Sequence, residues 1–344
     1  MHDQPGALDR AVAHTLALCA IPSPSGFSAA AADYVERSLR SLGLAPLRGR
    51  KGSVLCGLGG TGRPLVLAAH VDTLGAVVRA VKPNGRLRYS KIGSYPDLNV
   101  VGETCRIHCR DGRSVTGTFQ PVEASSHVNV RLKDLKPDED SVEILVDETV
   151  ASKAETLALG ISPGDIVSID ARPLLTPSGY LKSRHLDDKA ACGILLALAE
   201  EAAAGRLEPG RRVSLLFTAY EEVGHGGAVV PAGTEEFVSV DMGAVGEDLG
   251  CDERSVSICS KDSRGPYDWD VTTALVEAAG RAGCRYAVDV YPSYGSDADV
   301  ALAAGHDLRH GLVGPGVYAS HGYERTHREA LGNTIALLAE YLKV

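Results

Sequence analysis

The fold is decided by residues 213–224, which carry the sequence VSLLFTAYEEVG. Residues 213–219 form a mostly apolar run with the length and composition of a strand. Glu221 and Glu222 follow this run and precede a glycine-rich turn that begins at Gly224. Neighbouring side chains of an extended chain point to opposite sides. We therefore expect one carboxylate to face a metal ion and the other to face a water molecule or substrate.

Three further segments place side chains of the metal-ligand type at a strand end or a helix start. His70-Val71-Asp72 follows the apolar run 64–69, Asp187-Asp188 opens a helix, and Asp241 follows the run 236–240. In open α/β sheets the site lies outside the carboxyl ends of the strands, so segments distant in sequence can meet there. An isolated Glu-Glu pair is most often a solvated acidic loop, but four such segments together indicate a metal site.

The order of strand-like and helix-like segments predicts an α/β fold that is interrupted by a β-rich insert. The run 64–69 is almost continuously apolar, which suits a strand buried on both faces of a parallel sheet. Between about 74 and 176, short strand-like pieces alternate with turns such as Asp111-Gly112. We predict a catalytic domain made of residues 1–73 and 177–344, with an inserted β domain at 74–176.

Apolar periodicity predicts the remaining elements. Helices are expected at 7–20, 27–42, 151–159, 190–204 (opened by residues 186–189), 268–281 and 326–343. Strands are expected at 213–219, 236–240 and 286–291. A linker at 175–179 is expected to close the insert, because proline, serine and glycine cluster there.

Composition and charge exclude several classes of protein. The net charge of −9 argues against a nucleic-acid partner, because binding phosphates needs a basic face. No run reaches the ~18 apolar residues of a membrane span, and the first twenty residues do not resemble a signal peptide. The eight cysteines are scattered through a long chain, which is typical of reduced thiols. We expect a cytoplasmic protein with neither a nucleic-acid nor a membrane partner.

The stretch 105–109, CRIHC, superficially suggests another metal site. In an extended segment Cys105 and Cys109 share one face, whereas His108 points the other way. We therefore expect a structural role for these three side chains.

The four segments can be assigned roles in a centre that holds two metal ions. His70 and Asp72 share one face of an extended segment, so the carboxylate of Asp72 is expected to accept the second ring N–H of His70. Asp187 suits a carboxylate that bridges two metal ions, and Glu221 suits the general base for a metal-activated water. Mixed histidine and carboxylate ligation favours Zn or Co, with Mn possible.

His70, Glu222, Asp241 and one C-terminal histidine would complete the ligand set. Chemistry alone leaves the last ligand open among the histidines of the final forty residues and a histidine next to the bridging aspartate. These candidates are His306, His310, His321, His327 and His185.

These motifs, in this order, resemble the co-catalytic di-metal aminopeptidases, and most closely the TET (tetrahedral) aminopeptidases of metallopeptidase family forty-two. The resemblance covers nearly the whole chain. It includes residues 151–170, ASKAETLALGISPGDIVSID, and residues 294–299, YGSDAD. The motifs that carry it are His70-Val71-Asp72, Leu186-Asp187-Asp188-Lys189, Glu221-Glu222-Val223-Gly224, Val240-Asp241 and Ser320-His321.

The resemblance implies a phosphorylase/hydrolase-like, three-layer α/β catalytic domain with an inserted small β-barrel-like dimerisation domain. It implies two divalent metal ions per subunit, removal of N-terminal residues from peptides with a free N-terminus, and assembly through dimers into a homo-oligomer, commonly a dodecamer. By motif position, one metal would take His70 and Asp241, and the other would take Glu222 and His321. Asp187 would bridge them, and Glu221 and Asp72 would be catalytic.

The chain departs from the family pattern near the site. Tyr220 stands where the family often has Gln, Lys189 stands where it often has Arg, and His225 falls within the glutamate loop. These changes bear on substrate preference more than on metal chemistry. Asp297 and Asp299 can be substrate residues or ordinary loop caps.

Two other functions compete with the aminopeptidase. A related di-metal deacylase would act on N-acylated amino acids or small peptides with nearly the same metal site. The long β-rich insert before Asp187 favours the aminopeptidase, because those neighbours carry an α+β insert after the Glu-Glu motif. A non-catalytic protein that keeps metal ions for structural reasons is disfavoured by Glu221, since a structural site needs no spare base.

Overall fold

The computed structural model describes residues 6–343. Within this range seven α-helices form, and no helix is long and apolar enough to cross a lipid bilayer. The helices are α1 (Ala7–Cys19), α2 (Ala29–Ser41), α3 (Lys153–Ala158), α4 (Leu186–Ala203), α5 (Trp269–Ala282), α6 (Asp297–Ala303) and α7 (Arg328–Tyr341).

The same part of the chain contains eighteen strands, which form a large mixed sheet, a closed barrel and a small three-stranded sheet. The strands are β1 (Leu47–Arg48), β2 (Val54–Gly59), β3 (Pro64–His70), β4 (Gly75–Val81), β5 (Leu87–Ile92), β6 (Thr104–His108), β7 (Ser114–Pro121), β8 (Val142–Val146), β9 (Ile166–Ile169), β10 (Leu174–Leu175), β11 (Tyr180–Ser183), β12 (Arg212–Thr218), β13 (Glu236–Val240), β14 (Gly243–Ala244), β15 (Val256–Lys261), β16 (Tyr286–Val290), β17 (Arg309–Val317) and β18 (Glu324–His327).

The large sheet has the order β1-β2-β12-β3-β13-β17-β15-β16, with β14 paired to β17. Its four central strands, β12, β3, β13 and β17, are parallel. Alternate residues of β3 enter two different cores: Leu65 and Leu67 join one cluster, whereas Val66 and Ala68 join the other. The strand is therefore buried on both faces, as its apolar run predicted.

Helices cover both faces of this sheet and make the three-layer architecture expected from the resemblance. Helices α1, α2, α4, α5 and α7 pack on one face, and α6 packs on the other. Burying a leucine such as Leu67 contributes about 1.5–3 kcal/mol, so both layers stabilise the central strands.

The inserted segment forms a closed antiparallel barrel in the order β4-β5-β8-β7-β6-β9. It has its own apolar core, in which the rings of Tyr89 and Phe119 meet edge to face at 5.0 Å. The barrel closes through short pairings, with one residue pair between β5 and β8, Leu87 with Ile144, and two between β4 and β9. The predicted β-barrel-like insert is confirmed. Its strands lie within 75–169, while the domain boundaries at 73 and 176 remain predictions.

One local expectation about the remaining elements was wrong. Residues 175–179 are not a linker: they lie in a hairpin between β10 and β11, and Gly179, with φ +92°, supplies the left-handed turn residue. The last helix, expected at about 326–343, is confirmed as Arg328–Tyr341, and it begins slightly later because β18 pairs with β11. Strands this short carry no readable periodicity, and their pairing partners are far away in sequence.

The CRIHC stretch has the structural role that the sequence predicted for it. Cys105 and Cys109 are buried free thiols. The ring of His108 forms a hydrogen bond with the hydroxyl of Ser168 at 2.8 Å and packs on the ring of Phe27.

Gly314 tests how tightly β17 packs beside the site. A Cβ atom there would overlap the carbonyl oxygen of Asp241, whereas a Cβ on Gly280 in α5 would meet nothing within 4 Å. Gly314→Ala is expected to lower the free energy of unfolding by about 1–3 kcal/mol. Gly280→Ala, the matched control, is expected to leave it unchanged or raise it by up to about 1 kcal/mol. Urea unfolding of both variants measures this, and equal effects would contradict it.

Candidate metal centre

The carboxyl ends of the four parallel strands bring the predicted site residues together. His70 ends β3, Asp241 follows β13, and the turn after β17 carries His321. Glu221 and Glu222 follow β12. The start of α4 supplies Asp187, which lies between His70 and His321. Parallel strands end at the same edge of the sheet, so these side chains face a common centre.

Asp187 lies between two histidines. Its Oδ1 is 3.2 Å from Nε2 of His70, and its Oδ2 is 3.4 Å from Nε2 of His321. The hydroxyl of Ser320 also donates to Oδ2 at 3.1 Å. Each carboxylate oxygen of Asp187 therefore faces a different imidazole.

Both histidines present the same ring nitrogen to this centre. Nδ1 of His70 donates to the backbone carbonyl of Asp72 at 2.9 Å, and Nδ1 of His321 donates to the backbone carbonyl of Ser94. A carbonyl oxygen can only accept, so Nδ1 carries the proton in each ring. Nε2 is then available as the ligand atom, and the other nitrogen fixes the ring orientation.

The expected contact between the Asp72 carboxylate and His70 is not made, because β3 ends at His70 and the chain bends. The closest carboxylate oxygen is 3.7 Å from Nδ1 of His70. The Asp72 carboxylate instead accepts the hydroxyl of Ser25 at 2.5 Å and the backbone N–H groups of Glu221 at 3.1 Å and Glu222 at 3.4 Å. Asp72 thus holds the segment that carries the two glutamates.

The two glutamates are not extended, and they do not point to opposite sides as the sequence suggested. They lie in a 3₁₀ turn, Glu221–Val223, which Tyr220 starts with φ 72°. Oε2 of Glu221 is 3.8 Å from Nε2 of His70, and Oε2 of Glu222 is 3.8 Å from Nε2 of His321. A tight turn begins after β12 ends at Thr218, and it aims both carboxylates at the centre.

Two overlapping groups of side chains can hold a metal ion, with ligand atoms within 4.8 Å of one another: His70 with Asp187 and Glu222, and His70 with Asp188 and Asp241. Oε1 of Glu222 and Oδ1 of Asp188 are buried acceptors without a hydrogen-bond partner in the described residues. Buried polar atoms are normally satisfied, and a cation would satisfy these two. The side chains therefore fit divalent metal ions.

Electrostatics favour a cation at the same place. Burial, followed by the charge of Asp187, raises the pKa of Glu222 to about 8 and that of Asp241 to about 7. Burial alone would lower the pKa of His321, but the hydrogen bond to Asp187 raises it to about 10. The raised pKa values mean that these side chains hold protons more tightly than usual, because several carboxylates lie close together. Divalent cations bound there would offset the same negative charge.

A cleft of about 1110 Å³ opens onto this centre. Its lining includes Asp187, Glu221, Glu222, Asp241 and His321. The wall beyond them carries the phenol of Tyr294, whose hydroxyl donates to the carbonyl of Met242 at 2.9 Å, and the exposed guanidinium of Arg264. The volume lies at the upper end of, and slightly above, the roughly 300–1,000 Å³ typical of small-molecule sites.

Among the candidate histidines of the described residues, His321 is the one that contacts Asp187. His306 approaches the carbonyl of Ala228 at 3.5 Å, and His327 donates to the carbonyl of Ser178 at 2.9 Å. His310 packs against the ring of Tyr267 on the cleft wall, and it is not part of either metal-binding group.

His185 and His225 lie outside the centre. His185 is buried at the start of α4, where burial lowers its pKa to about 3 and keeps it neutral. His225 is exposed, accepts a hydrogen bond from Nζ of Lys51 at 2.9 Å, and stacks on Tyr220.

Asp297 and Asp299, which the sequence left open, support the loops around the cleft. Asp297 accepts the backbone N–H of Gly227 at 2.6 Å and the hydroxyl of Thr218, so it ties the glycine-rich loop to β12. Asp299 accepts the N–H of Ser296 at 3.0 Å and closes the first turn of α6.

Sequence reasoning missed several residues that touch the centre. Asp188 was included with Asp187 among the ligand-type segments but was given no role, and its Oδ2 accepts the backbone N–H of His70 at 3.1 Å. Glu324 accepts two backbone N–H groups at the site, and its spacing from His321 was the available signal. Asn99, from the barrel segment, donates to the carbonyl of His321 at 3.1 Å, and nothing in its surroundings in the sequence indicated this contact.

Comparison with known sequences gives one consistent family. The profile of the M42 glutamyl aminopeptidase family matches residues 52–337. YhfE of Bacillus subtilis (strain 168), which carries a provisional aminopeptidase name, is 41% identical over 329 residues, covering 95% of each chain. The glutamyl aminopeptidase of Lactococcus lactis subsp. cremoris (strain MG1363) is 27% identical over 256 residues, covering 69% of this chain and 67% of that protein.

Solved structures share the same architecture. The TET aminopeptidase of Thaumarchaeota archaeon SCGC AB-539-E09 superposes with a TM-score of 0.88 at 16% identity and covers 97% of this chain and 96% of its own. The TET1 peptidase of Pyrococcus horikoshii, described as assembling into a tetrahedron or an octahedral shell, superposes with a TM-score of 0.85 at 19% identity, covering 96% and 99%. At these identities the likeness concerns the fold. Together with the profile match and the 41% identical relative, it shows that the chain belongs to the M42 glutamyl aminopeptidase family, a family of peptide-hydrolysing enzymes.

Proposed function

We propose that the chain is a dinuclear metal-dependent aminopeptidase that removes N-terminal residues from peptides. The observation that carries the proposal is the placement of Asp187, whose two carboxylate oxygens face His70 and His321 respectively. Asp187 would bridge the ions, with His70 and Asp241 on one side and Glu222 and His321 on the other. Asp188, with its unpartnered buried oxygen, is a further candidate beside His70 and Asp241.

The mixed histidine and carboxylate donor set favours zinc or cobalt, and it also admits manganese. Divalent ions held there would supply Lewis acidity, which polarises the scissile carbonyl and makes a water molecule more acidic. The chain's own part is to hold the ligands in place and to move the proton.

Glu221 would be the general base. Its carboxylate lies at the centre, 3.8 Å from Nε2 of His70, and burial raises its pKa well above the usual range. A base with a raised pKa can take a proton from water and return it to the departing amine. Asp72 would position this base through the backbone N–H groups of Glu221 and Glu222.

We infer a substrate with a free amine from the family and from the aminopeptidases to which the chain is similar. The carboxylates of Asp187, Glu221, Glu222 and Asp241 on the cleft floor do not supply this preference by themselves, because divalent ions held there would offset their charge. No observation favours the related deacylase, because the insert is a closed β-barrel that precedes Asp187 in the chain.

We also propose a cytoplasmic homo-oligomer that forms through dimers, with the barrel as the dimerisation element. The homo-oligomer is supported by the family and by solved structures of the same fold that are described as dodecamers or larger shells. The cytoplasmic location is supported by the free cysteines, which are typical of a reducing compartment. Size-exclusion chromatography with light scattering tests the oligomeric state directly.

Glu221→Gln tests the general base. The amide keeps the shape of the side chain but cannot accept the proton, so kcat is expected to fall by about 10²–10⁴-fold. The metal content per subunit, measured by inductively coupled plasma mass spectrometry, should stay at the wild-type value. Unchanged kcat in this variant would contradict the assignment of Glu221 as the general base, whereas metal-loaded wild-type protein without any turnover would revive the non-catalytic alternative.

A paired substrate assay tests the reaction class. Chelator-treated protein is restored with Zn, Co or Mn and is then given aminoacyl substrates with a free amine together with their N-acetylated twins. Metal-dependent cleavage of the free-amine set alone is expected, because an aminopeptidase acts on a free N-terminus and the acetyl group blocks it. Cleavage of the acetylated set alone would establish the deacylase instead.

Asp72→Ala tests the positioning of the two glutamates. The change leaves the backbone N–H groups of Glu221 and Glu222 without their acceptor, so kcat/KM is expected to fall by about a hundredfold as the base shifts. Ser25→Ala is the control, since it removes one hydroxyl from the same carboxylate and leaves the glutamate turn held. Equal losses in steady-state assays of the two variants would argue against this role.

A further inference from the structure

Glu324 occupies a point where two ligand-bearing segments meet. It is the first residue of β18 and pairs in register with Ser183 of β11. The chain runs from β11 into Asp187 at the start of α4, and the turn before β18 carries His321. The small sheet thus joins the segment of the bridging aspartate to the segment of the last histidine.

The carboxylate of Glu324 binds both segments at once. Oε2 accepts the backbone N–H of Asp187 at 3.1 Å, and Oε1 accepts the backbone N–H of His321 at 3.0 Å. The side chain is 1% exposed, so no bulk water competes for these bonds. Because one rigid group accepts both bonds, the two backbones cannot move apart without breaking one of them.

His321 needs this support. Its φ of 64° lies in the left-handed region, which costs a non-glycine residue free energy unless its surroundings enforce it. Its N–H is held by Glu324, and its carbonyl accepts the side-chain amide of Asn99 at 3.1 Å. The strained backbone orients the imidazole so that Nε2 faces Asp187.

We propose that Glu324 is a positioning residue of the metal centre, which fixes the distance between Asp187 and His321 and so sets the geometry in which they hold metal ions. This rests on the proposed dinuclear site. Glu324 does not line the cleft and belongs to neither metal-binding group, so it would act through the backbones of the two ligands.

The purely structural alternative makes a different prediction. If Glu324 merely stabilised the β11–β18 junction, losing its bonds would lower the free energy of unfolding and leave the coordination of a bound metal as it was. Glu143 offers a matched control, because it is also 1% exposed and accepts bonds from Lys82 and Arg86 in the barrel, away from the centre.

The test compares Glu324→Gln with Glu143→Gln after loading each with Co²⁺. Glutamine keeps one oxygen acceptor but turns an NH₂ group towards the other backbone N–H, so one of the two bonds is lost. We expect Glu324→Gln to bind Co²⁺ about 10–100-fold more weakly and to change the visible absorption spectrum of the bound ion. Glu143→Gln should lose stability but keep the wild-type spectrum and affinity.

An unchanged spectrum, stoichiometry and affinity in folded Glu324→Gln would overturn the proposal. Should this variant fail to fold, Glu324→Asp is measured in its place: it keeps the charge but withdraws the oxygens by one methylene. The same altered spectrum is expected there, and an unaltered one overturns the proposal. Wild-type protein that binds no Co²⁺ would instead refute the dinuclear centre itself, and with it the role of Glu324.

Discussion

The parallel alignment of β12, β3, β13 and β17 is the constraint on which the rest of this protein depends. His70 pairs in register with Thr218, the last residue of β12, and Val240 pairs with Val313. Side chains from distant parts of the chain can meet only because these strands end together. A slip of one residue in any pair would turn its apolar side chains to the wrong layer, so the apolar cores that stabilise the sheet also fix the register of the ligands.

That alignment explains why much of the molecule could be predicted from the sequence. Continuous apolar runs marked the buried strands, ligand-type residues marked their ends, and turn-rich texture marked the barrel. What could not be predicted depends on how the chain bends after a strand. The carboxylate of Asp72 binds the glutamate turn and not the ring of His70. This contact could not be predicted, because no periodicity describes the residues beyond β3. Glu324 and Asp188 act through backbone amides, and a residue's type does not reveal which backbone N–H group its carboxylate will accept.

Without bound cations, the buried carboxylates of the centre lower the free energy of unfolding of the protein. Burial and mutual repulsion raise the pKa values of Glu222 and Asp241, so ionising them in the folded chain costs free energy. Metal ions that bind these carboxylates in the folded state contribute their binding free energy to folding. The apolar layers on both sides of the sheet must hold the site together before any ion arrives.

The inserted segment contacts the catalytic layers at His321. The imidazole of His321 donates to the backbone carbonyl of Ser94, and the backbone carbonyl of His321 accepts a hydrogen bond from the side chain of Asn99. One side chain is therefore held by both parts of the chain. Thermodynamic linkage makes such an arrangement reciprocal: any association that displaces the barrel changes the affinity of the centre, and occupancy of the centre changes that association by the same factor. A single coupling free energy would then link subunit assembly to metal binding, so that each changes the equilibrium constant of the other by the same factor.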